Sequence, residues 1–219
     1  MPEQDVREFI RETFACSDEI ATTVFARGAV RAYAAHAVIV RQGEVAASAY
    51  LLTLGRAHAR RFSLEGHMIL LCEYYPGDLF GAVIDPAPAH SEIVAVEAVR
   101  TFILRSRDLA ALAEAYGSIG LALAGMLVKQ LGQAARLIYE RQALTATGRV
   151  HAEILRLAKA SPDFVIRPAP VISELAVRAS TTRETASRAV SALERRGIIR
   201  RDPDSWTVVA PPRLEGLII

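Results

Sequence analysis

The stretch Thr181-Thr182-Arg183-Glu184-Thr185-Ala186-Ser187-Arg188 opens a segment with the period of an α-helix. A hydroxyl at Thr181 and a carboxylate at Glu184 have the spacing of a capping box, which predicts a defined helix start. The helix is expected to run from Thr182 to Arg196 and to end at Gly197. With each residue advancing by about 100°, the apolar face is predicted to carry Ala186, Ala189, Val190 and Leu193, and the polar face Arg183, Glu184, Ser187 and Arg188.

A short helix is expected before this segment and a hairpin after it. Ser173 is predicted to cap a helix that ends near Ala179. The expected short strands are 165–166, 171–172, 198–200 and 206–209, the last two joined by the turn 202–205. Helix, tight turn, helix and hairpin form the order of a winged helix-turn-helix.

The layout of the second helix fits the reading of DNA bases in the major groove. Arginine can bond guanine O6 and N7 with both arms, and glutamate can accept from cytosine N4. The expected DNA-binding residues are Ser173, Thr182, Arg183, Glu184, Ser187 and Arg188. The competing interpretation is a plain surface ion pair between Glu184 and Arg188, which are four residues apart.

Charge is distributed unevenly along the chain, although its net value is only +2. Residues 149–219 hold 12 Arg and Lys against 8 Asp and Glu, whereas residues 1–148 hold 14 against 16. This asymmetry favours a polyanion-binding module attached to a slightly acidic body. A solvated charged surface is the alternative.

A long helix is expected in the middle of the chain. Ser106 is predicted to cap a short helix, and Gly117 to separate it from a helix of roughly 25 residues that ends near Leu144. A continuous apolar stripe on so long a helix favours packing along a partner helix over burial within its own chain. The predicted dimer interface comprises Leu123, Leu127, Leu131, Ala134 and Ile138.

The N-terminal half carries short apolar runs at turn-like spacing, which is typical of an all-β barrel or jelly roll. Strands are predicted around 37–40, 50–54, 68–71, 93–96 and 101–104, and one or two leading helices over 3–25.

Length, hydropathy and cysteine content exclude several classes of protein. The longest apolar run, 119–128, is well short of the roughly 18 residues of a membrane span. The acidic N-terminus has no apolar signal core. Two cysteines cannot build a disulfide framework. We therefore expect a cytoplasmic protein without a membrane partner.

The chain is similar to the CRP/FNR superfamily of bacterial transcription regulators, also called catabolite activator-like proteins, over nearly its whole length. Residues 182–188 resemble the family signature S-R-E-T-V-x-R, with Thr for Ser and Ala for Val. The other segments that carry the resemblance are Val40-Arg41-Gln42-Gly43-Glu44, Tyr50-Leu51-Leu52-Thr53-Leu54-Gly55, Pro76-Gly77-Asp78-Leu79-Phe80-Gly81, Thr147-Gly148-Arg149-Val150 and Leu155-Arg156-Leu157-Ala158.

The resemblance implies an α+β fold in three parts. These are an N-terminal double-stranded β-helix (jelly roll) with leading helices over 1–117, a long dimerisation helix and hinge over 118–147, and a winged helix-turn-helix over 148–219. It implies a homodimeric regulator, not an enzyme, whose partners are double-stranded DNA, a second copy of itself and RNA polymerase. In cyclic-AMP-binding relatives two arginines and a glutamate read a TGTGA-like half-site, and these match Arg183, Glu184 and Arg188.

The family's cyclic-nucleotide pocket is not matched. Its Gly-Glu-Leu and Arg-Ser elements fall at Gly81-Ala82-Val83 and Glu92-Ile93, or at His90-Ser91 after a two-residue shift, and its polar pair on the long helix falls at Ala134-Ala135. A phosphate beside Glu92 without a guanidinium would be an unpaired anion next to another anion. These positions are the candidate effector pocket, and they argue against cyclic AMP as the effector.

Other cofactors find little support in the sequence. An iron–sulfur sensor needs four thiolates, and the chain has two cysteines. Haem ligands are available in His36, His58, His67, His90, His151 and Cys72, but no spacing singles one out. No metal site is expected.

Two further functions compete with a DNA-binding regulator. One is a haem or small-molecule sensor that acts mainly through a protein partner such as RNA polymerase. The other is an enzyme on a cupin-like barrel, which would need a clustered His/Glu metal set that the strands lack.

Overall fold

Short antiparallel strands between turns build the first of two units into which the computed structural model divides, residues 1–134 and 135–219. The structure describes residues 3–62 and 68–219. Helices α1 (Glu3–Thr13) and α2 (Asp18–Phe25) lead into the strands β1 (Gly28–Tyr33), β2 (Val38–Val40), β3 (Val45–Ala46), β4 (Ser48–Leu54), β5 (Ala57–Phe62), β6 (Met68–Tyr74), β7 (Leu79–Gly81), β8 (Ala87–Pro88), β9 (Glu92–Ala95) and β10 (Val99–Arg105).

The strand order confirms the predicted jelly roll. One sheet has the order β1-β10-β4-β7, a second has β2-β9-β5-β6, and β3 pairs with β8. Apart from β5 and β6, which are consecutive, paired strands are distant in sequence, as crossovers between two packed sheets require. The sequence prediction does not include β1, β3, β5, β7 or β8. In β5 the residues that turn inward are Ala57 and Ala59, which are buried although alanine gives no apolar run to detect.

The apolar faces of α1 and α2 complete the core beneath β4 and β10. Val6, Ile10 and Phe14 are buried with Leu51 and Phe102 in one cluster. A second cluster between the sheets includes Leu52, Phe80 and Ile93. The leading helices are therefore part of the first unit's core.

Helix α3 (Ser106–Ala115) and helix α4 (Gly117–Ala143) follow the strands. The prediction that Ser106 caps α3 is wrong, because Arg105 holds the cap position and Ser106 is the first helical residue. The Ser106 hydroxyl is buried and donates to the Ala82 carbonyl at 2.7 Å. The predicted separation near Gly117 is confirmed, and α4 has 27 residues.

The second unit contains α5 (Ala146–Ala158), β11 (Val165–Ile166), α6 (Ile172–Arg178), α7 (Arg183–Arg195), β12 (Ile199–Arg201), β13 (Trp206–Val208) and α8 (Pro211–Glu215). Its core holds Ile154, Leu175, Val190, Leu193 and Trp206. The predicted hairpin is part of a three-stranded sheet, β11-β13-β12. The predicted strand at 171–172 is wrong, since Ile172 begins α6.

Within the described residues no single helix is long and apolar enough to cross a membrane. Helices α3 and α4 meet that test only when taken together, across a bend of 118°.

Candidate nucleic-acid interface

Helix α7 begins at a side-chain cap. Thr182 holds the N-cap position, and its hydroxyl oxygen accepts from the Thr185 amide at 3.2 Å. The predicted capping box between Thr181 and Glu184 is not formed, because the cap lies one residue later and Thr185 takes the third helical position. Glu184 is thereby left exposed on the helix surface.

The two faces of α7 agree with the prediction. Ala186, Ala189, Val190 and Leu193 are buried. Arg183, Glu184, Ser187 and Arg188 are all exposed, within the first two turns of the helix. The arrangement offers two guanidinium groups, a carboxylate and a hydroxyl to a partner outside the chain.

Glu184 and Arg188 form the ion pair that the competing interpretation foresaw. Their Oε1 and Nη2 atoms are 3.3 Å apart, and the side chains are 76% and 72% exposed. An i,i+4 pair at such a surface contributes about 0.3–0.5 kcal/mol. The pair can therefore open for a partner at small cost.

Ser173 lies elsewhere than predicted. It is the second residue of α6 and is exposed, while Val171 holds the cap position without a side-chain bond. A contact between Ser173 and DNA remains a prediction.

The end of α7 is closed by a Schellman motif. The Gly197 amide donates to Glu194 O at 2.9 Å and the Ile198 amide to Leu193 O at 3.0 Å. Gly197 has φ +63°, which favours glycine. The motif turns the chain directly into β12, where Arg201 stacks over the Trp206 ring at 5.3 Å.

Helix α4 exposes an apolar face. Leu121, Val128 and Leu131 are 76%, 70% and 71% exposed. Alternating steps of three and four residues, the spacing of a coiled-coil seam, connect Leu121, Ala124, Val128, Leu131, Ala135 and Ile138, all of them exposed.

This face differs from the predicted dimer stripe. Leu123 is buried in the core of its own unit and is not available to a second copy. Leu127, Leu131, Ala134 and Ile138 of the predicted stripe are exposed. Sequence periodicity missed Leu121 and Val128, because it cannot tell which part of a broad apolar stripe the chain itself covers.

The first candidate effector residues are Gly81, the last residue of β7, and the two that follow it, Ala82 and Val83. Gly81 has φ +89°, and a Cβ there would lie 2.5 Å from Ser48 O, so only glycine fits. The buried Ala82 donates its amide to Ser48 O at 2.9 Å, and Val83 is half-buried. The backbone of this segment is thus engaged within the unit.

The carboxylate of Glu92 has a guanidinium partner that sequence reasoning missed. Arg60 on β5 lies opposite Glu92 on β9, and its Nη2 is 2.8 Å from Glu92 Oε2. The expectation that this position lacks a guanidinium is therefore wrong, since a neighbouring strand supplies one. Among the adjacent candidates, His90 is exposed, Ser91 is half-buried and Ile93 is buried in the core.

Aromatic side chains fill the space between the sheets. The Phe80 ring is 5.4 Å from Tyr50 and 4.9 Å from Tyr74. Burial raises the pKa of Tyr74 and raises the pKa of the Cys72 thiol to about 11. Cys72 is consequently a neutral thiol at neutral pH, and not an activated metal ligand.

The candidate haem ligands are scattered. His58 Nε2 is 3.0 Å from Glu73 Oε1, and His151 Nδ1 is 3.1 Å from Leu217 O. His36 lies in a turn, His90 is exposed and His67 lies outside the described residues. Over 3–62 and 68–219 no three His, Cys, Asp or Glu side chains group as metal ligands do.

The last candidate effector positions, Ala134 and Ala135, are exposed on α4. Arg149, which the sequence identifies only as part of the motif Thr147-Gly148-Arg149-Val150, is half-buried in the second unit. It donates to two backbone carbonyls at the turn before α7, those of Ala179 and Ser180, and to the Leu144 carbonyl after the end of α4. The signal was its place beside Thr147-Gly148, but nothing local to that motif indicates that it bonds the carbonyls of Ala179 and Ser180, which lie 30 and 31 residues away.

Comparison with known proteins covers both units. Residues 30–116 match the family of the cyclic nucleotide-binding domain, and residues 148–217 match the Crp-like helix-turn-helix domain. The cyclic AMP receptor protein of Thermus thermophilus is 30% identical over 201 residues, which are 90% of each chain.

Two solved structures share the fold at low identity. A CooA variant from Carboxydothermus hydrogenoformans gives a TM-score of 0.78 at 16% identity, covering 93% of this chain and 91% of that one. FixK2 from Bradyrhizobium japonicum gives a TM-score of 0.76 at 19% identity, covering 88% of this chain and 98% of that one.

Proposed function

The chain belongs to the CRP/FNR family of transcription regulators, and from this premise we propose that it is a homodimer that reads a DNA palindrome through α7. The family is one of regulators and not of enzymes. The polar N-terminal half of α7 is the observation that carries the proposal. Its four outward side chains are exposed on a helix whose other face is fixed in the core.

Base reading needs long side chains that are free to reach base edges. Arg183 and Arg188 are exposed, and each can bond O6 and N7 of a guanine. Glu184 can accept from a cytosine amino group once the weak pair with Arg188 opens. By their match to the family signature, these three residues favour a TGTGA-like half-site.

Dimerisation is proposed through the seam of α4 from Leu121 to Ile138. Apolar surface exposed over several turns is typical of a protein interface. The three-and-four spacing lets two such helices pack side by side. The partner proposed for the seam is therefore α4 of a second copy of the chain. Two copies of α7 would then enter successive major grooves about 34 Å apart.

The effector of this protein is proposed to be something other than cyclic AMP, or absent. Ala82 offers no carboxylate, and Arg60, the guanidinium near Glu92, is already paired with it. A cyclic phosphate could bind Arg60 only by displacing Glu92. The Glu92 carboxylate would then be left without its partner, which is energetically unfavourable. The aromatic cluster of Tyr50, Tyr74 and Phe80 further fills the interior.

RNA polymerase is the proposed protein partner, and the cytoplasm the proposed compartment. Both follow from the family alone, because a regulator bound near a promoter acts on the enzyme that transcribes it.

Binding selection on randomised palindromes tests the proposed DNA reading. The wild type is expected to select one half-site. Arg188→Ala is expected to relax the preference at one base pair and to lose about 1–3 kcal/mol of binding free energy per half-site. Arg195→Ala is the matched control, since Arg195 is exposed in the last turn of the same helix.

Loss of a phosphate contact would weaken all sequences alike and reduce the salt slope by about one. If Arg188→Ala keeps every wild-type base preference, Arg188 does not read a base. If the wild type selects no sequence, the proposed function itself is wrong.

A further inference from the structure

Arg149 lies in the first turn of α5 and directs its guanidinium to the backbone. Its Nε donates to Ala179 O at 2.8 Å and its Nη2 to Ser180 O at 3.0 Å. Its Nη1 donates to Leu144 O at 3.0 Å. The side chain is half-buried, so these bonds are partly shielded from water.

The three carbonyls belong to the ends of two helices. Leu144 follows the last residue of α4, Ala179 is the C-cap of α6, and Ser180 is next in the chain. Carbonyls at a helix C-terminus lack intrahelical partners and form the negative end of the helix dipole. A single cation therefore joins the C-terminal ends of α4 and α6.

The turn held in this way leads directly into α7. Ser180 has φ +48°, and its hydroxyl accepts from Arg141 Nη2, in the last turn of α4, at 3.1 Å. Two residues later Thr182 caps α7. One turn further along α5, Glu153 Oε1 lies 3.5 Å from Arg178 Nη1, at the end of α6.

We propose that Arg149 is a positioning residue for DNA reading, which fixes the start of α7 relative to the last turn of α4. The inference rests on the proposed function, in which α4 joins two copies and α7 enters the groove. If the bonds from Arg149 to the three carbonyls are lost, the distance between the two copies of α7 in the dimer is expected to vary more. The side chains that read bases are unchanged. Loss of Arg149 is therefore expected to broaden the accepted half-site spacing and to leave base preference intact.

The chemistry of arginine makes the inference specific. A guanidinium presents its donors in a planar fork, and three of its nitrogens are used here. A lysine ammonium keeps the charge but cannot reproduce the fork. Arg149→Lys is consequently the informative variant, and Arg149→Met additionally removes the charge. Arg213→Lys, exposed on α8 of the same unit, is the control.

The first measurement is amide hydrogen exchange without DNA. Arg149→Lys is expected to speed exchange about tenfold over residues 180–185, where charge-assisted bonds to the turn are lost, and to leave the last two turns of α7 unchanged. Arg213→Lys should match the wild type throughout. If Arg149→Met does not fold, as circular dichroism would reveal, Arg149→Lys decides the question.

The second measurement uses palindromes whose half-sites are moved one base pair closer or farther apart. The wild type is expected to prefer one spacing by about tenfold or more, and Arg149→Lys to reduce that ratio to about threefold or less, with the same bases selected. Wild-type spacing selectivity and exchange in Arg149→Lys would overturn the inference while the proposed function stands. A change in base preference would also overturn it. A wild type without spacing preference would refute the proposed palindrome and this inference together.

Discussion

Helices α4 and α7 both present an exposed face, and the two faces have opposite chemistry. On α4 the exposed face from Leu121 to Ile138 is apolar, with Leu121, Val128 and Leu131 each at least 70% exposed. On α7 they are polar, and the apolar side is buried. Each face is incomplete in the isolated chain. Burial of the apolar face of α4 would lower the free energy. The exposed ion pair on α7 contributes little to stability and can open for a partner. The first face therefore fits a second copy, and the second fits a polyanion.

A charge in the middle of the α4 seam is expected to have the largest effect. Leu131→Asp would place two unpaired carboxylates in an apolar contact, which costs several kcal/mol and weakens the dimer more than about 100-fold. Sedimentation should find monomers that bind palindromic DNA poorly, since the two half-sites are no longer joined.

The control for this variant is Ile84→Asp, at a residue with similar exposure that lies outside α4. It should leave the dimer intact. A Leu131→Asp protein that sediments as the wild type would remove the contrast between the two helices, because the α4 face would then have no partner.

A smaller effect is expected from acid on the DNA-reading unit. Burial lowers the pKa of His151, whose Nδ1–H donates to Leu217 O. In the unfolded chain the imidazole takes up its proton near its ordinary value of about 6.5. The stability contributed by the neutral His151 is thus fully present above that pH. It is lost as the pH falls toward the lower pKa of His151 in the folded protein.

Denaturant unfolding at pH 7.5 and 5.5 measures this effect. Trp206, the single tryptophan, is buried in the same unit and reports its unfolding by fluorescence. His151→Asn keeps an amide donor at the position of Nδ1 for Leu217 O but does not titrate, and should lose less stability on acidification than the wild type. Equal losses in the two proteins would assign the pH dependence to other groups.

The smallest effect is expected from cyclic AMP. Because Ala82 offers no carboxylate and Glu92 holds Arg60, about 1 mM cyclic AMP should change DNA affinity less than about twofold, as a ligand without differential affinity must. The Thermus relative named cyclic AMP receptor protein is the comparison under identical conditions. A tenfold or larger change in this chain would contradict the proposed loss of the pocket.

The faces of α7 were predictable because helix periodicity and capping depend on residues within one or two turns. The same local reasoning shifted the cap from Thr182 to Thr181 and assigned caps to Ser106 and Ser173 that the structure does not have. A hydroxyl caps a helix only where the backbone leaves the helical conformation. In Ser106 the hydroxyl is bonded instead to Ala82, 24 residues away.

The sequence by itself determined the class of the chain: a jelly roll, a long apolar helix, and a winged helix-turn-helix whose recognition motif resembles that of the CRP/FNR regulators. The tertiary structure alone decided that Leu123 is covered while Leu121 is free, that Glu92 pairs with Arg60, and that Arg149 joins the ends of α4 and α6. Periodicity assigns a residue to a face of its own helix or strand. Which face is covered, and which charge meets which carbonyl, depends on elements that approach only after the chain has folded.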